Sequence, residues 1–247
     1  MTIKAITFDF WATLYKTKTV DYHQRLLQLK EIVEKDSEQT FELGQFQNAV
    51  NVARETWSQT WQEEYRTITA SEWLEILLQN LPASVPPRSF QEIQATLENS
   101  ILQDPPALAP EIETLLPNLA ENYKLAVICD TGLSPGRVLR EILSNDGVKE
   151  FFCYLTFSDE VGRSKPHARP FLTTLNQLDV SPQEAVHVGD LLRTDIAGAK
   201  RTGMRAVQYV GINHDKETPD TTDILPDAVI ESHAELEPLL KQWATMP

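Results

Sequence analysis

ITFDFWATLY, residues 6–15, begins as an apolar run, ends that run on a single aspartate, Asp9, and then breaks into a turn through Ala12 and Thr13. A short continuous apolar run bounded by a turn reads as a strand buried on both faces, the habit of parallel sheets covered by helices. In open α/β sheets, ligands bind at the carboxyl ends of the strands, which is where Asp9 falls. The tryptophan two residues later, Trp11, is the oddity of the stretch.

Similar runs recur at 124–129 (KLAVIC), 184–188 (EAVHV), 205–210 (RAVQYV) and 227–230 (DAVI). Helical spacing lies between most of them, at 135–144, 168–178, 193–203 and 233–243. Strands alternating with helices predict an α/β fold: a doubly wound parallel sheet, a Rossmann-like core. From Thr17 to Gln103 the alternation stops. That stretch has only helical patterns, TVDYHQRLLQLKEIVEK, FQNAVNVARETWSQTWQEEY, SEWLEILLQNL and SFQEIQATLENSIL, with Pro-rich joints LPASVPPRS and QDPPALAP. The expected organisation is a core of residues 1–16 and 104–247 with an inserted all-helical domain at 17–103.

At 247 residues, 41% hydrophobic and 23% charged, the chain is ordinary for a globular protein and long enough to bury a sizeable interior. Its net charge of -14, with no Lys/Arg cluster to override the field, excludes nucleic acid and anionic membranes as natural partners. The apolar runs fall far short of the ~20 residues a membrane span needs. There are two cysteines, Cys129 and Cys153, and no CxxC; strand residues begin already at Ile3, so the expectation is a chain with no secretory leader. The expected compartment is a reducing cytoplasm. Nothing in the sequence fixes the oligomeric state, and Trp57 or Trp73 could serve an interface or a core.

The residues that follow the apolar runs are Asp9, then Cys129-Asp130-Thr131-Gly132, then Gly189-Asp190 with Asp195 downstream, while GRSKPHARP supplies Lys165. Each alone has an ordinary role open to it: a turn or helix cap for the aspartates, a solvated loop for the lysine. Together they bring three carboxylates and a lysine to one edge of the sheet. Crowded carboxylates repel unless a cation neutralises them, and oxygen ligands without His or Cys favour Mg²⁺. A carboxylate beside a metal and a lysine is also the arrangement for nucleophilic attack on phosphorus. In the insert, Phe46, Val50, Ala53, Trp57 and Trp61 form a stripe at three- and four-residue spacing. It either packs the insert's own core, or Trp61 or Tyr65 borders a substrate pocket beneath it.

In order along the chain, the apolar strand into DxxxT(L) at Asp9 to Leu14, the CDTG after the second strand, the RSKP loop and VGDLLRTDIAGAKRTGM resemble the haloacid dehalogenase (HAD) superfamily of hydrolases, mostly phosphatases. The last motif, with aspartates five apart and a GA..TGM turn, is specific. The resemblance implies that Asp9 is a nucleophile forming an aspartyl-phosphate, and that Mg²⁺ is held by Asp9, the Trp11 carbonyl and Asp190, with Asp195 binding the metal's waters or Lys165. It implies that Lys165 pairs with Asp9 and the phosphate, that Cys129, Asp130 and Thr131 occupy the phosphate-binding turn, and that residues 17–103 are a mobile cap closing over a small, phosphorylated substrate.

Two positions depart from the pattern. Where those phosphatases carry a second aspartate for proton transfer, this chain has Trp11, whose indole cannot exchange a proton near neutral pH. Where they carry Ser or Thr on the phosphate, it has Cys129, read as a stand-in there or as a small buried apolar residue. Losing the proton-transfer group costs ~10²- to 10⁴-fold in rate, so slow turnover, a good leaving group or another proton source follows. His23, Glu63 and Glu64 lie in the cap as such sources. Two further functions stay open: a 2-haloacid dehalogenase, whose family also has an aromatic residue at the place of Trp11 but lacks the acidic Gly-Asp, and a non-catalytic binding descendant.

Overall fold

The protein, described by a computed structural model over residues 2–17, 22–212 and 225–245, is built on a six-stranded sheet in the order β3-β2-β1-β4-β5-β6. The strands are β1 (Ala5–Phe8), β2 (Lys124–Cys129), β3 (Phe152–Phe157), β4 (Ala185–Gly189), β5 (Arg205–Tyr209) and β6 (Ala228–Ile230), and every neighbouring pair is parallel. The doubly wound α/β architecture expected from the sequence is the one observed. β3 is an addition: the run FCYLTF was not read as a strand, and it occupies one edge of the sheet.

Helices cover both faces, so both faces are apolar. Ile6, Phe8, Leu125, Val127, Val186, Val188 and Val207 point into one large cluster. Ala5, Ala126, Ala185 and Ala206 point the other way, against Phe171, Leu175, Ile196 and Ala199. Small residues on this second face let two helices, α8 (Ala168–Leu178) and α9 (Ala197–Thr202), lie close to the strands. Polar residues sit within it as bonded pairs: Thr7 and His187 are register partners on β1 and β4 and are fully buried, and Thr156 of β3 meets Thr174 of α8.

Between β1 and β2 come α1 (Tyr22–Ser37), α2 (Leu43–Glu64), α3 (Ala70–Gln79) and α4 (Pro87–Asn99), then α5 (Ile112–Ala120) at the return to the sheet. The start of the first expected helix, residues 18–21, lies outside the described residues. α1 to α4 close around a second hydrophobic cluster that includes Leu26, Val33, Phe46, Ala49, Val50, Ala53, Trp73, Leu74, Leu77 and Ile93. Trp73, for which the sequence left an interface or a core open, is only 5% exposed and belongs to this core. The α2–α3 joint is tied to the sheet side: the Tyr65 carbonyl accepts from Ser164 N–H at 2.7 Å, and the buried Thr67 hydroxyl meets the Ser158 and Ser164 hydroxyls at 2.6 and 3.0 Å. α6 (Gly136–Asn145) follows β2, α7 (Ser158–Val161) follows β3, α10 (Leu236–Thr245) is the last described helix, and no described helix is long and apolar enough to cross a membrane.

Candidate active site

Asp9 is the first residue beyond β1, and its N–H donates to the Val188 carbonyl at 2.8 Å, which pins it to β4. The chain then turns sharply: Ala12 has φ of 52° and the N–H groups of Leu14 and Tyr15 both donate to the Phe10 carbonyl. The Trp11 indole lies edge-on to Phe10, ring centroids 4.8 Å apart, and packs partly buried against the large cluster.

On the β4 side the chain is held by steric necessity. A side chain on Gly189 would stand 2.4 Å from Asp195 Cγ, so only glycine lets Asp195 fold back over the strand end. The five residues Leu192–Ile196 form one wide helical turn before α9. That turn lets the Asp195 carboxylate accept from Leu191 N–H at 3.1 Å and Thr194 Oγ1 at 3.3 Å while facing inward. His187 Nε2 approaches Asp195 Oδ1 at 3.1 Å, and its Nδ1 lies 2.8 Å from Thr7 Oγ1. A carboxylate accepts, so Nε2 carries the proton and Nδ1 accepts from the threonine hydroxyl. Burial keeps this imidazole below its ordinary pKa despite Asp195, which preserves the neutral tautomer.

Lys165 reaches the middle of the group. Its Nζ donates to Asp9 Oδ1 at 2.5 Å and to Asp195 Oδ1 at 2.6 Å, and it is 3% exposed. Burial alone would lower its pKa, but Asp195, Asp9 and Asp130 outweigh that and hold the ammonium charged. Burial works against the charge of Asp195 too, yet Lys165 and His187 keep that carboxyl well below the usual range. Asp9 goes the other way: burial, with Asp195 and Asp190 nearby, raises it in spite of Lys165. One ammonium cannot neutralise three carboxylates. Asp9, Asp190 and Asp195 each offer an oxygen within 4.8 Å of the others, so the group is an all-oxygen donor set, which fits a hard cation such as Mg²⁺.

The β2 side is arranged differently. Cys129 is buried, and burial together with the Asp9 charge raises its thiol well above the ordinary range, so it is a neutral thiol. Thr131, expected in the phosphate-binding turn, directs its groups elsewhere: its N–H donates to Ser158 Oγ at 2.9 Å and its hydroxyl to Asp159 Oδ1 at 3.2 Å. The Asp130 carboxylate accepts from the Lys165 backbone N–H at 2.9 Å and from the Trp61 indole N–H at 3.2 Å.

Trp61 answers the question left by the stripe on α2. Phe46, Val50 and Ala53 are buried in the insert's cluster and Trp57 packs against it, whereas Trp61 reaches the sheet. One face of its ring carries the Arg193 guanidinium 4.5 Å from the centroid, and Trp57 stacks parallel to it at 6.0 Å. Asp130 follows β2 and Arg193 belongs to the turn after β4, and these strands flank β1. The indole therefore bridges the carboxyl end of β1, where Asp9 stands. Of the other insert residues considered as proton sources, His23, Glu63 and Glu64 are exposed, and Glu64 lies 3.7 Å from Arg66. Sequence reasoning missed His187 and Arg193. A histidine inside the apolar run AVHV was a visible signal for the first; the second had none.

Fold and site together define an α/β protein whose parallel sheet carries, at its carboxyl edge, a buried aspartate group joined by a lysine. A family model described as haloacid dehalogenase-like hydrolase matches residues 3–203, and the chain belongs to that family. Among curated relatives, the chain is 36% identical over 98 residues to glyceraldehyde 3-phosphate phosphatase of Methanopyrus kandleri, covering 40% of this chain and 42% of that one. It is 38% identical over 100 residues to phosphoserine phosphatase of Thermus thermophilus, covering 40% and 39%. Each match thus spans less than half of the relative. Over nearly whole chains, the fold is shared with a HAD phosphatase from Thermococcus onnurineus, with TM-score 0.65, 23% identity and coverage of 96% and 98%. It is shared as well with a 2-haloacid dehalogenase from Pseudomonas syringae, with TM-score 0.63, 24% identity and coverage of 98% and 100%.

Proposed function

We propose that the protein is a Mg²⁺-dependent phosphatase of a small phosphorylated metabolite, with Asp9 as the nucleophile. The observation that carries this is the buried group itself: Lys165 bonded to both Asp9 and Asp195, with Asp190 completing three carboxylate oxygens. Such a charge balance suits a site that receives a cation and a phosphoryl group together. The names of the relatives, phosphatases of glyceraldehyde 3-phosphate and phosphoserine, support the same reading.

Asp9, Asp190 and the Trp11 carbonyl would hold the metal directly, with Asp195 behind them; bound there, Mg²⁺ would neutralise phosphoryl oxygens. Asp9 attacks phosphorus, the ester oxygen leaves, and water releases phosphate from Asp9. Lys165 steers the Asp9 carboxylate and pairs with a phosphate oxygen, and Cys129 lines the same end of β2. The helical segment acts as a cap, with Trp61 excluding water above Asp9.

Phosphate release from acetyl phosphate and p-nitrophenyl phosphate tests the reading. It should require Mg²⁺, stop with a chelator, and vanish in Asp9→Asn; release that persists in Asp9→Asn would overturn it. A second reading, attack on carbon as in 2-haloacid dehalogenases, is favoured by the aromatic Trp11 in place of an acid. The three-carboxylate group argues against it, because buried acids without a cation are costly. Halide release from 2-chloropropionate would decide for it.

A further inference from the structure

We propose that Asp130 is the proton donor and acceptor of the reaction, doing from the neighbouring strand what Trp11 cannot do from its own. The inference rests on the phosphatase reading above, and it begins with strand register. The last paired step of β1 and β2 is Phe8 with Val127. Three residues beyond each in sequence stand Trp11, in the turn after β1, and Asp130, just past the end of β2, so the chain that lacks a carboxylate two places after its nucleophile carries one at the end of the adjoining strand.

The side chain of Asp130 is placed for this work. Its two oxygens accept from the Lys165 backbone and the Trp61 indole, the residue that neutralises Asp9 and the residue that roofs it. Two fixed donors leave each oxygen a second lone-pair site, where a proton can sit and be passed on. The indole bridges from Asp130 to Arg193 across the end of β1, and attack in line from Asp9 directs the ester oxygen away from Asp9, toward the side that this bridge covers.

The electrostatics agree with the placement. Burial pushes the Asp130 carboxyl up to about 6, against the pull of the Lys165 ammonium, its N–H and the Trp61 indole, with Asp195 adding to the rise. The charged or titratable groups around it are Lys165, Asp195, Cys129 and, through the Trp61 ring, Arg193. An acid near neutrality is what a group that both gives and takes a proton needs.

In the first half-reaction, an Asp9 oxygen bonds to phosphorus as the ester P–O bond breaks. The electron pair of that bond goes to the ester oxygen, which takes the Asp130 proton and leaves as a neutral alcohol. In the second, the Asp130 carboxylate takes a proton from the water that attacks phosphorus. The P–O bond to Asp9 breaks, its electrons return to the Asp9 carboxylate, and inorganic phosphate leaves.

The test is the dependence of the first-turnover rate on leaving-group pKa, measured by rapid quench with Mg²⁺ for monoesters from p-nitrophenyl to ethyl phosphate. With a working acid the dependence is shallow; in Asp130→Asn it becomes steep, with alkyl esters slowed ~10²- to 10⁴-fold and p-nitrophenyl phosphate little changed. Trp61→Phe removes one of the same hydrogen bonds and keeps the carboxylate, so its slope stays shallow, which a merely structural role of Asp130 would not produce. If Asp130→Asn fails to fold, the wild-type slope steepens as pH rises through about 6. Equal slopes in wild type and Asp130→Asn, uniform slowing of all esters, or a wild-type slope indifferent to pH would each overturn the role of Asp130 alone. No Asp9-dependent release from any ester would overturn the phosphatase reading and this inference with it.

Discussion

The two flanks of β1 are built to different standards. On the β4 side, Gly189 is forced by the approach of Asp195, and Asp195 accepts from Lys165, His187, Leu191 N–H and Thr194. On the β2 side a thiol, a carboxylate shared with the insert and a threonine turned toward Ser158 take the corresponding places. The charge-neutralising half of the site is over-determined, while the half that would move protons departs from the family's pattern. Charge arranged for a metal and a phosphoryl group cannot shift by an ångström without loss, whereas a proton can be delivered from more than one direction.

The sharpest way to break this contrast is Lys165→Met. With the ammonium that bonds both Asp9 and Asp195 gone, the repulsion within the group of Asp9, Asp190 and Asp195 rises, and removal of one partner from such a buried group costs about 3–5 kcal/mol. Melting in a chelator should show a loss of this size at pH 8. Mg²⁺ should recover part of it. The loss should shrink toward pH 5, because Asp9, whose pKa burial already raises, can take up a proton and relieve the repulsion. A loss independent of both pH and Mg²⁺ would mean that packing of the lysine stem, not charge, is what Lys165 contributes.

Gly189→Ala comes next. Its methyl group would stand 2.4 Å from Asp195 Cγ, so Asp195 or the strand end must move, at about 1–3 kcal/mol with Mg²⁺ affinity lowered. The matching change on the other flank, Thr131→Val, removes one hydroxyl from the Ser158 and Asp159 group, about 1 kcal/mol, and should leave Mg²⁺ affinity alone. Titration calorimetry on both proteins compares the flanks directly; equal losses of metal binding would erase the distinction.

A stability measurement sharpens the β2 flank further. Asp130 has a folded-state pKa of about 6 against an ordinary 3.8, so the folded chain holds a proton that the unfolded chain releases in that window. Wild-type stability therefore falls as pH rises from about 4 to 6, and the penalty is complete above it. Asp130→Asn lacks this penalty and should melt higher than wild type at pH 8, with the advantage fading toward pH 4. A carboxylate kept at a cost in stability is what a functional group looks like.

Much of this was legible in the sequence, because its signals were local. All five apolar runs sit within a residue or two of a strand's bounds, and the residues just past three of them gather at the candidate site. β3 was not legible: FCYLTF runs straight into the short helix Ser158–Val161 with no turn residue to end it, and as an edge strand it leaves Cys153 exposed. The stripe on α2 was ambiguous for a geometric reason. From Phe46 to Trp61 the helix rises about 22 Å, so one line of residues serves the insert's core at one end and the catalytic edge at the other. Only the fold shows where along that line the change occurs. The same holds for His187, whose role depends on Asp195 folding back over Gly189.

The smallest effect expected lies in the stretch from which the reading began. Ala12 holds φ of 52° in the turn that carries the chain away from Asp9, a conformation that costs a residue with a Cβ about 1–2 kcal/mol. Glycine would remove that cost but add back about 0.4–1 kcal/mol of unfolded-chain entropy. Ala12 is also 2% exposed, so its methyl group contributes some packing that glycine would lose. The balance leaves Ala12→Gly within about 0.5 kcal/mol of wild type, which denaturant titration can resolve. Its effect on turnover separates two accounts of the turn. If the alanine only tolerates the conformation, the rate is unchanged; if it stiffens the loop that aims Asp9 and the Trp11 carbonyl, turnover falls while stability does not, and the β1 turn joins the β4 flank as a part of the site that cannot be loosened.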